Sequence, residues 1–335
     1  MKRANHLIEH MATFDNVALA FWKAAKGKQG NAAIEQSREH LYEQIAEISE
    51  QLATGNMPMS QQHRFVIFDP KEREICAVSF PERVFHHAIM NVCHPIFARY
   101  QIFDSYASRK NKGVFAAIER AHYFQKKHLF FLKLDVRKHF ETIDHDILKK
   151  MLARLFKDVH VLQLFSQIID SYEVQPKKGL PIGNLTSQYF ANHYLAVADH
   201  FIKEQLKIKA YVRYMDDMVL WHHDQKQLLD AGKQLATFFE TKLQLTLKPF
   251  CLNHTHKGLP FLGYVISPQH IHLNKRSRKR FKSKLVIYET NRIQKIWNEA
   301  TYQRHILPLL AFTKKADSFL FRQKNLKQQN MDAYP

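Results

Sequence analysis

The stretch YVRYMDDMVLW, residues 211–221, decides how this chain is read. Two adjacent aspartates, Asp216 and Asp217, stand between two short apolar runs. Such runs about a polar break predict two strands joined by a turn. Aspartate favours turns, so a solvated tip is one reading of the pair. Met215 and Met218, directly beside it, do not suit an exposed tip. The other reading is a carboxylate pair that is desolvated, repels itself and needs a counter-charge.

Upstream, LFFLKLDV (129–136) is an apolar run that ends in Asp135 and reads as a buried strand. A lone aspartate there is often a helix cap or a satisfied polar group. Three carboxylates at two sheet ends carry more chemistry. Hard oxygen ligands suit Mg²⁺, which keeps waters and shares substrate phosphates. Two such ions about 3.5–4 Å apart can clamp an in-line phosphoryl displacement. Asp135, Asp216 and Asp217 are therefore candidate ligands of two Mg²⁺ ions. The protein would then mainly position and neutralise charge.

The rest of the chain fits a polyanionic substrate. Fifty Lys and Arg against 31 Asp and Glu leave a formal charge of +19 over 335 residues. Basic groups on phosphates release counterions, so nucleic acid is the expected partner, with an acidic membrane surface as the rival. The longest uncharged stretch, 179–198, holds Pro181, Gly183, Asn184, Gln188 and Asn192 and is too polar to span a bilayer. The N-terminal segment has no apolar core of a signal peptide. Cys76, Cys93 and Cys251 are odd in number and far apart, which suits a reducing cytoplasm. CLNHTH (251–256) lacks the second ligand pair a zinc site requires. No Ser-His-Asp pattern, Walker A segment or GxGxxG is found.

Helical spacing and caps predict a helix from Asn31 to about Ala53, another from Pro81 through Phe97, and a third after Lys112. Helices are also expected over 144–156, 158–170, 184–204 and 224–243. RFVIFDPKEREICAV (64–78) reads as a hairpin about the Asp69–Pro70 turn. LQLTL (243–247) and PFLGYVI (260–266) read as strands. Helices and strands are interspersed without strict βαβ order, so the expected class is α+β, with helices packed on an antiparallel sheet. From Asn274 the run KRSRKRFKSK opens a basic, mostly helical C-terminal part.

With these motifs in place, the sequence resembles a reverse transcriptase of the bacterial, group II intron-related kind. YMDD (214–217) is similar to the catalytic hairpin and LKLDV (132–136) to its partner strand. GLPIGNLTSQ (179–188) is similar to the loop and helix beneath the nascent base pair, PFLGYVI to the primer-grip hairpin, and SYASRKNKG (105–113) to a fingers segment. They occur in the family's order over roughly residues 60–270. The resemblance implies a right-hand polymerase fold: an N-terminal helical extension (1–55), fingers (56–128), a palm (129–270) with which fingers elements interleave, and a helical thumb (271–335).

The resemblance also implies roles. Asp135 and Asp216 are the principal metal ligands, with Val136 beside them, for two Mg²⁺ ions that Mn²⁺ can replace. Asp217 is a weaker one, because neighbouring strand residues point to opposite faces. Phe140 is the aromatic gate against a ribose 2′-hydroxyl, although a core Phe is the plainer reading. Lys71 and Arg73 grip the triphosphate, or are solvated turn charges. Lys248 matches a lysine that protonates pyrophosphate. Ile182 and Gly183 lie near the incoming nucleotide. Tyr214, Met215, Gln188, Leu262 and Gly263 lie along primer and template.

Most reverse transcriptases carry Gln where this chain has Ile182. Glutamine can hydrogen-bond there, whereas isoleucine only packs, so base-pair geometry would be checked less strictly. Ile182 with Ser187–Gln188, and the segment SYASRKNKG, resemble the enzymes of diversity-generating retroelements. That likeness implies error-prone copying at template adenines, cDNA that replaces part of a variable gene, and a small, basic, oligomeric accessory protein. Partners would be template RNA, a cDNA primer or RNA–DNA hybrid, and dNTPs, in a bacterial or phage-encoded cytoplasmic setting without membrane attachment. A retron, intron-encoded or phage-defence enzyme, the last able to extend DNA without a template, is the alternative within the family. A non-catalytic RNA-binding relative is the alternative outside it.

Overall fold

The computed structural model describes residues 2–28, 30–58, 63–68 and 72–328. The chain divides into two compact units, each assembled from three stretches. Residues 1–109, 135–207 and 233–248 form the first; residues 110–134, 208–232 and 249–335 form the second.

The first unit is mainly helical, and its helix starts follow from side-chain caps. Thr13, Asn31, Ser79, Asp144 and Asp158 each accept a backbone N–H at the start of a helix. Pro81 sits in the first turn of Phe80–Tyr100, where a missing N–H costs nothing. The single helix expected from Asn31 is two, Ala32–Glu39 and Leu41–Thr54, parted at His40. Ile34, Ile45, Ile48 and Leu52 are buried nonetheless. Their spacing therefore reports a shared apolar side, not an unbroken backbone. Phe97 is a hub of the core, with the rings of Phe156, Phe165 and Phe190 at 5.4, 6.2 and 6.4 Å. Strands β1 (His63–Phe68) and β2 (Glu72–Ala77) form the expected hairpin, with Ile67 opposite Arg73. Its Asp69–Pro70 turn and Lys71 lie outside the described residues.

The second unit carries the larger sheets. Strands β3 (Phe130–Asp135), β4 (Tyr211–Tyr214), β5 (Asp217–His222) and β6 (Cys251–His254) make one sheet in the order β4-β5-β3-β6. Only the last residue of β3 falls in the first unit. Strands β7 (Leu259–Phe261), β8 (Tyr264–Ile266) and β9 (Ile271–Leu273) make a second, antiparallel sheet. Gln125, fully buried on helix Val114–Lys127, accepts from Trp221 Nε1 of β5 at 2.6 Å. It donates to the carbonyls of Thr255 and Ile266 at 3.1 and 2.8 Å. One amide thereby ties the helix to β5, to β8 and to the turn after β6.

Two strand expectations are corrected. LQLTL makes no strand: Leu243 ends the helix Gln225–Leu243, and Gln244 turns the chain at φ +50°. Only one isolated bridge follows, Leu247 with Val136. PFLGYVI is two strands, because Leu262 and Gly263 take φ +49° and +93° and reverse the chain between Phe261 and Tyr264. The hairpin implied by the resemblance is thus present where apolar content alone suggested one strand.

Beyond Asn274, which caps Lys275–Ile293, the helices Glu299–Lys314 and Phe319–Lys327 follow. Phe281, Leu285, Tyr302, Ile306, Leu310 and Leu326 form their core. Buried Glu289 pins it, accepting from the Tyr302 hydroxyl and, at 2.8 Å, from Arg292. The chain is α+β, with antiparallel sheets packed by helices. Among the described residues no helix is long and apolar enough to cross a membrane.

Candidate active site

In the second unit, Tyr214 pairs with Asp217, so Met215 and Asp216 alone make the turn between β4 and β5. Two-residue hairpin turns need left-handed backbone, which normally selects glycine or asparagine. Here Met215 holds φ +54°. Such strain, of order ~1–3 kcal/mol, persists only where the surroundings fix it. Part of that fixing is local: Arg213 is completely buried and its Nη1 donates to the Met215 carbonyl at 3.2 Å. Met218 through Trp221 are fully buried, which anchors the hairpin's second strand. Tyr214, Met215, Asp216 and Asp217 are all half-buried, so the solvated-tip reading fails. Burial also pushes the Tyr214 phenol up, keeping it neutral.

Asp217 has a cationic neighbour in its own sheet. Lys133 Nζ lies 3.0 Å from Asp217 Oδ1, with both side chains about three-quarters buried. The same ammonium donates to the Pro260 carbonyl at 3.0 Å. Asp217 Oδ1 is buried yet accepts no hydrogen bond of acceptable geometry. The lysine contact is thus an ion pair by distance only, and the oxygen keeps lone pairs to offer.

In the first unit, Lys248 engages Asp135 twice. Its amide donates to the Asp135 carbonyl at 2.8 Å, and its Nζ to Asp135 Oδ1 at 2.6 Å. The next helix, His139–Thr142, starts from Lys138, so Asp135 is not a helix cap. Val136 is buried and bridged to Leu247. Phe140 is half-buried, and its carbonyl accepts from Leu180 N at 2.7 Å, strapping the Leu180–Gly183 loop beside it. The Ile182 carbonyl accepts from Cys76 N of β2 at 2.8 Å. Gly183, at φ +128°, approaches so closely that a Cβ would stand 2.9 Å from Ile75 Cγ2 and 3.0 Å from the Cys76 carbonyl oxygen. Gln188 Oε1 accepts from the Ser108 hydroxyl at 2.8 Å, joining the SYASRKNKG segment to helix Leu185–His200. Arg73 is exposed on β2.

Among the described residues no group of three or more His, Cys, Asp and Glu side chains is gathered to hold a metal. Asp135 and Asp217 face lysine ammonium groups instead. Each lysine neutralises the carboxylate that it faces. The donors themselves fit a hard cation: they are oxygens, and one of them is buried and lacks a hydrogen bond.

Sequence reasoning missed Lys133, Arg213 and Gln125. A signal existed for the first: in LKLDV it stands two residues before Asp135, hence on the same side of the strand. The arginine alternates with buried Val212 in YVRY, a pattern that normally points a charge to solvent. Nothing local marked Gln125.

Antiparallel sheets packed by helices, with an acidic pair in a two-residue hairpin, have the make-up of a right-hand polymerase fold. The family model described as reverse transcriptase (RNA-dependent DNA polymerase) matches residues 69–266, and the chain belongs to that family. A relative is the COX1/OXI3 intron 1 protein of Saccharomyces cerevisiae, 23% identical over 254 residues. The match covers 72% of this chain but only 30% of that protein's length. Among solved structures, telomerase from Candida tropicalis in complex with a TWJ fragment of telomeric RNA aligns with TM-score 0.51 at 11% identity. That alignment covers 88% of this chain and 59% of the telomerase chain. Apo telomerase from Candida tropicalis truncated from its C-terminal domain aligns with TM-score 0.50 at 15% identity, over 70% and 60% of the two chains. At these identities the likeness is one of fold.

Proposed function

We propose that this chain copies an RNA template into DNA, adding deoxynucleotides to a primer 3′-hydroxyl and releasing pyrophosphate. The observation that carries this is the buried, strained hairpin that presents Asp216 and Asp217 within the family's matched region. Reverse transcriptases use divalent metal ions; here Asp135, Asp216 and Asp217, with Val136 adjoining, would hold two Mg²⁺, which supply charge neutralisation and an activated 3′-oxygen.

The remaining roles belong to this chain's own side chains. Lys133 restrains Asp217, and Arg213 fixes the turn that carries Asp216. The Lys248 ammonium, held at Asp135, is the proton source for the leaving pyrophosphate. Phe140 excludes a 2′-hydroxyl, and Arg73 with Lys71 binds the triphosphate. Tyr214, Met215, Leu262 and Gly263 support the primer end, and Gln188 the template side. Template RNA, an RNA–DNA hybrid and dNTPs are the partners, in keeping with the charge of +19.

Primer extension on an RNA template with dNTPs and Mg²⁺ tests the reading. Extension should fall on the order of a thousandfold in Asp216→Ala. Binding without extension by the parent protein, with its accessory protein supplied, would contradict it. Extension without any template would move the chain to the phage-defence type.

Within the family we read the chain as a diversity-generating enzyme, error-prone at template adenines and working with a small basic accessory protein in a bacterial cytoplasm. Ile182 supports this. Its carbonyl makes the bond to Cys76, so the loop's position does not depend on the side chain. Ile182→Gln should therefore fold normally and reduce misincorporation opposite adenine. An unchanged error spectrum would remove this reading and leave the polymerase intact.

A further inference from the structure

Lys133 is placed unlike an ordinary surface lysine. It stands on β3, between β5 and β6 in the sheet. Its strand neighbours Leu132 and Leu134 are fully buried, so its side chain leaves from the opposite face. Only 23% of that side chain is exposed. Holding a lysine so far out of water costs rotamer freedom and hydration, which its contacts must offset.

Two acceptors meet its ammonium, and all three residues belong to the second unit. Asp217 Oδ1 of β5 lies 3.0 Å from Nζ, and the Pro260 carbonyl of β7 accepts from Nζ at 3.0 Å. The two contacts differ in kind. The bond to Pro260 is a directed hydrogen bond. It answers a carbonyl on an edge strand, where a neighbouring strand is lacking on one side. The contact with Asp217 has charge and distance but not direction, since the buried Oδ1 accepts no hydrogen bond. The ammonium is thus fastened at Pro260 and drawn to Asp217 by charge alone.

A Mg²⁺ or Mn²⁺ ion on Asp217 Oδ1 would sit about 2.1 Å from that oxygen, hence no more than about 5 Å from Nζ. Two cations so close repel each other, and water screens them poorly where both side chains are about three-quarters buried. Ammonium and metal ion therefore compete for one oxygen. Negative charge from a nucleotide's phosphates favours the metal ion, because the phosphates share its coordination. The Pro260 carbonyl offers the displaced ammonium a place to stay.

We infer that Lys133 is the resident counter-ion of Asp217: it competes with a divalent ion there and makes metal binding at that carboxylate depend on nucleotide phosphates. It is a positioning residue, not a catalytic one. The inference rests on the polymerase reading for the ion itself, but metal affinity can be read without turnover.

The test uses the full chain and Mn²⁺, with the free ion followed by electron paramagnetic resonance. Lys133→Gln removes the charge but keeps a donor for Pro260. Without nucleotide it should bind Mn²⁺ about tenfold more tightly than the parent. Lys133→Met should do the same, whereas Lys133→Arg, which keeps the charge, should bind like the parent. Adding Asp217→Asn to Lys133→Gln should cancel the gain and so assign it to this carboxylate. With primed RNA and a non-hydrolysable dNTP, Lys133→Gln and the parent should differ by no more than about twofold. Circular dichroism melts confirm that the variants fold. A lysine that only braced the fold would give no gain in affinity when removed. Unchanged or weaker binding in both neutral variants therefore overturns the inference. So does a gain that survives Asp217→Asn or persists undiminished with nucleotide. Mn²⁺ binding that Asp216→Asn leaves untouched, in the parent and in Lys133→Gln alike, overturns the polymerase reading as well.

Discussion

The turns at Met215–Asp216 and Leu262–Gly263 are both two-residue hairpin connections, and they are built by opposite means. Leu262 and Gly263 both hold positive φ, with glycine at the second place, the usual chemistry of such a turn. Of the Met215–Asp216 pair only Met215 is left-handed, and no glycine is present. The Leu262–Gly263 turn is set by its own sequence and by what packs behind it. The Met215–Asp216 turn is held by its surroundings: Arg213 beneath its carbonyl, Trp221 anchored to Gln125, and Lys133 at Asp217. On the proposed polymerase reading, strain retained at the carboxylate pair holds its geometry for chemistry.

This contrast can be broken by mutation. The largest effect is expected at Arg213. Replacing a fully buried guanidinium with Met, in Arg213→Met, removes its charged donor from the Met215 carbonyl and should destabilise the protein by about 3 kcal/mol, read by urea unfolding. A change below about 0.5 kcal/mol would mean the turn holds itself.

Gly263→Ala comes next, at about 2 kcal/mol. Its Cβ would have to displace the Phe312 ring or Ser277 Oγ, and its φ of +93° disfavours any side chain. The smallest stability effect is expected for Met215→Gly. Relief of left-handed backbone offsets the greater freedom of the unfolded chain, so the net change stays within about 1 kcal/mol. Primer extension should still slow, because the turn then loses its single conformation. Faster extension in this variant would contradict the role given to the strain.

Legibility in the sequence followed the same divide. β3, the β4–β5 hairpin and most helix starts could be read because local signals fixed them: apolar runs, the cap at Asn31, and Pro81. The candidate carboxylates could be read because aspartates are rare between buried runs. Their partners could not. Lys133 and Lys248 lie 84 and 113 residues from the aspartates they face, a pairing only tertiary structure creates. Arg213 is buried against every sequence expectation for arginine. LQLTL has strand composition, but it follows directly on a helix and finds a single bridge at Val136.

The proposed mechanism requires Asp135, Asp216 and Asp217 to share two divalent ions. Counting Mn²⁺ by electron paramagnetic resonance on the complex with primed RNA and a non-hydrolysable dNTP tests it most directly. About two ions per chain are expected, falling by at least one in Asp135→Asn and in Asp216→Asn. A count unchanged in both variants would contradict it.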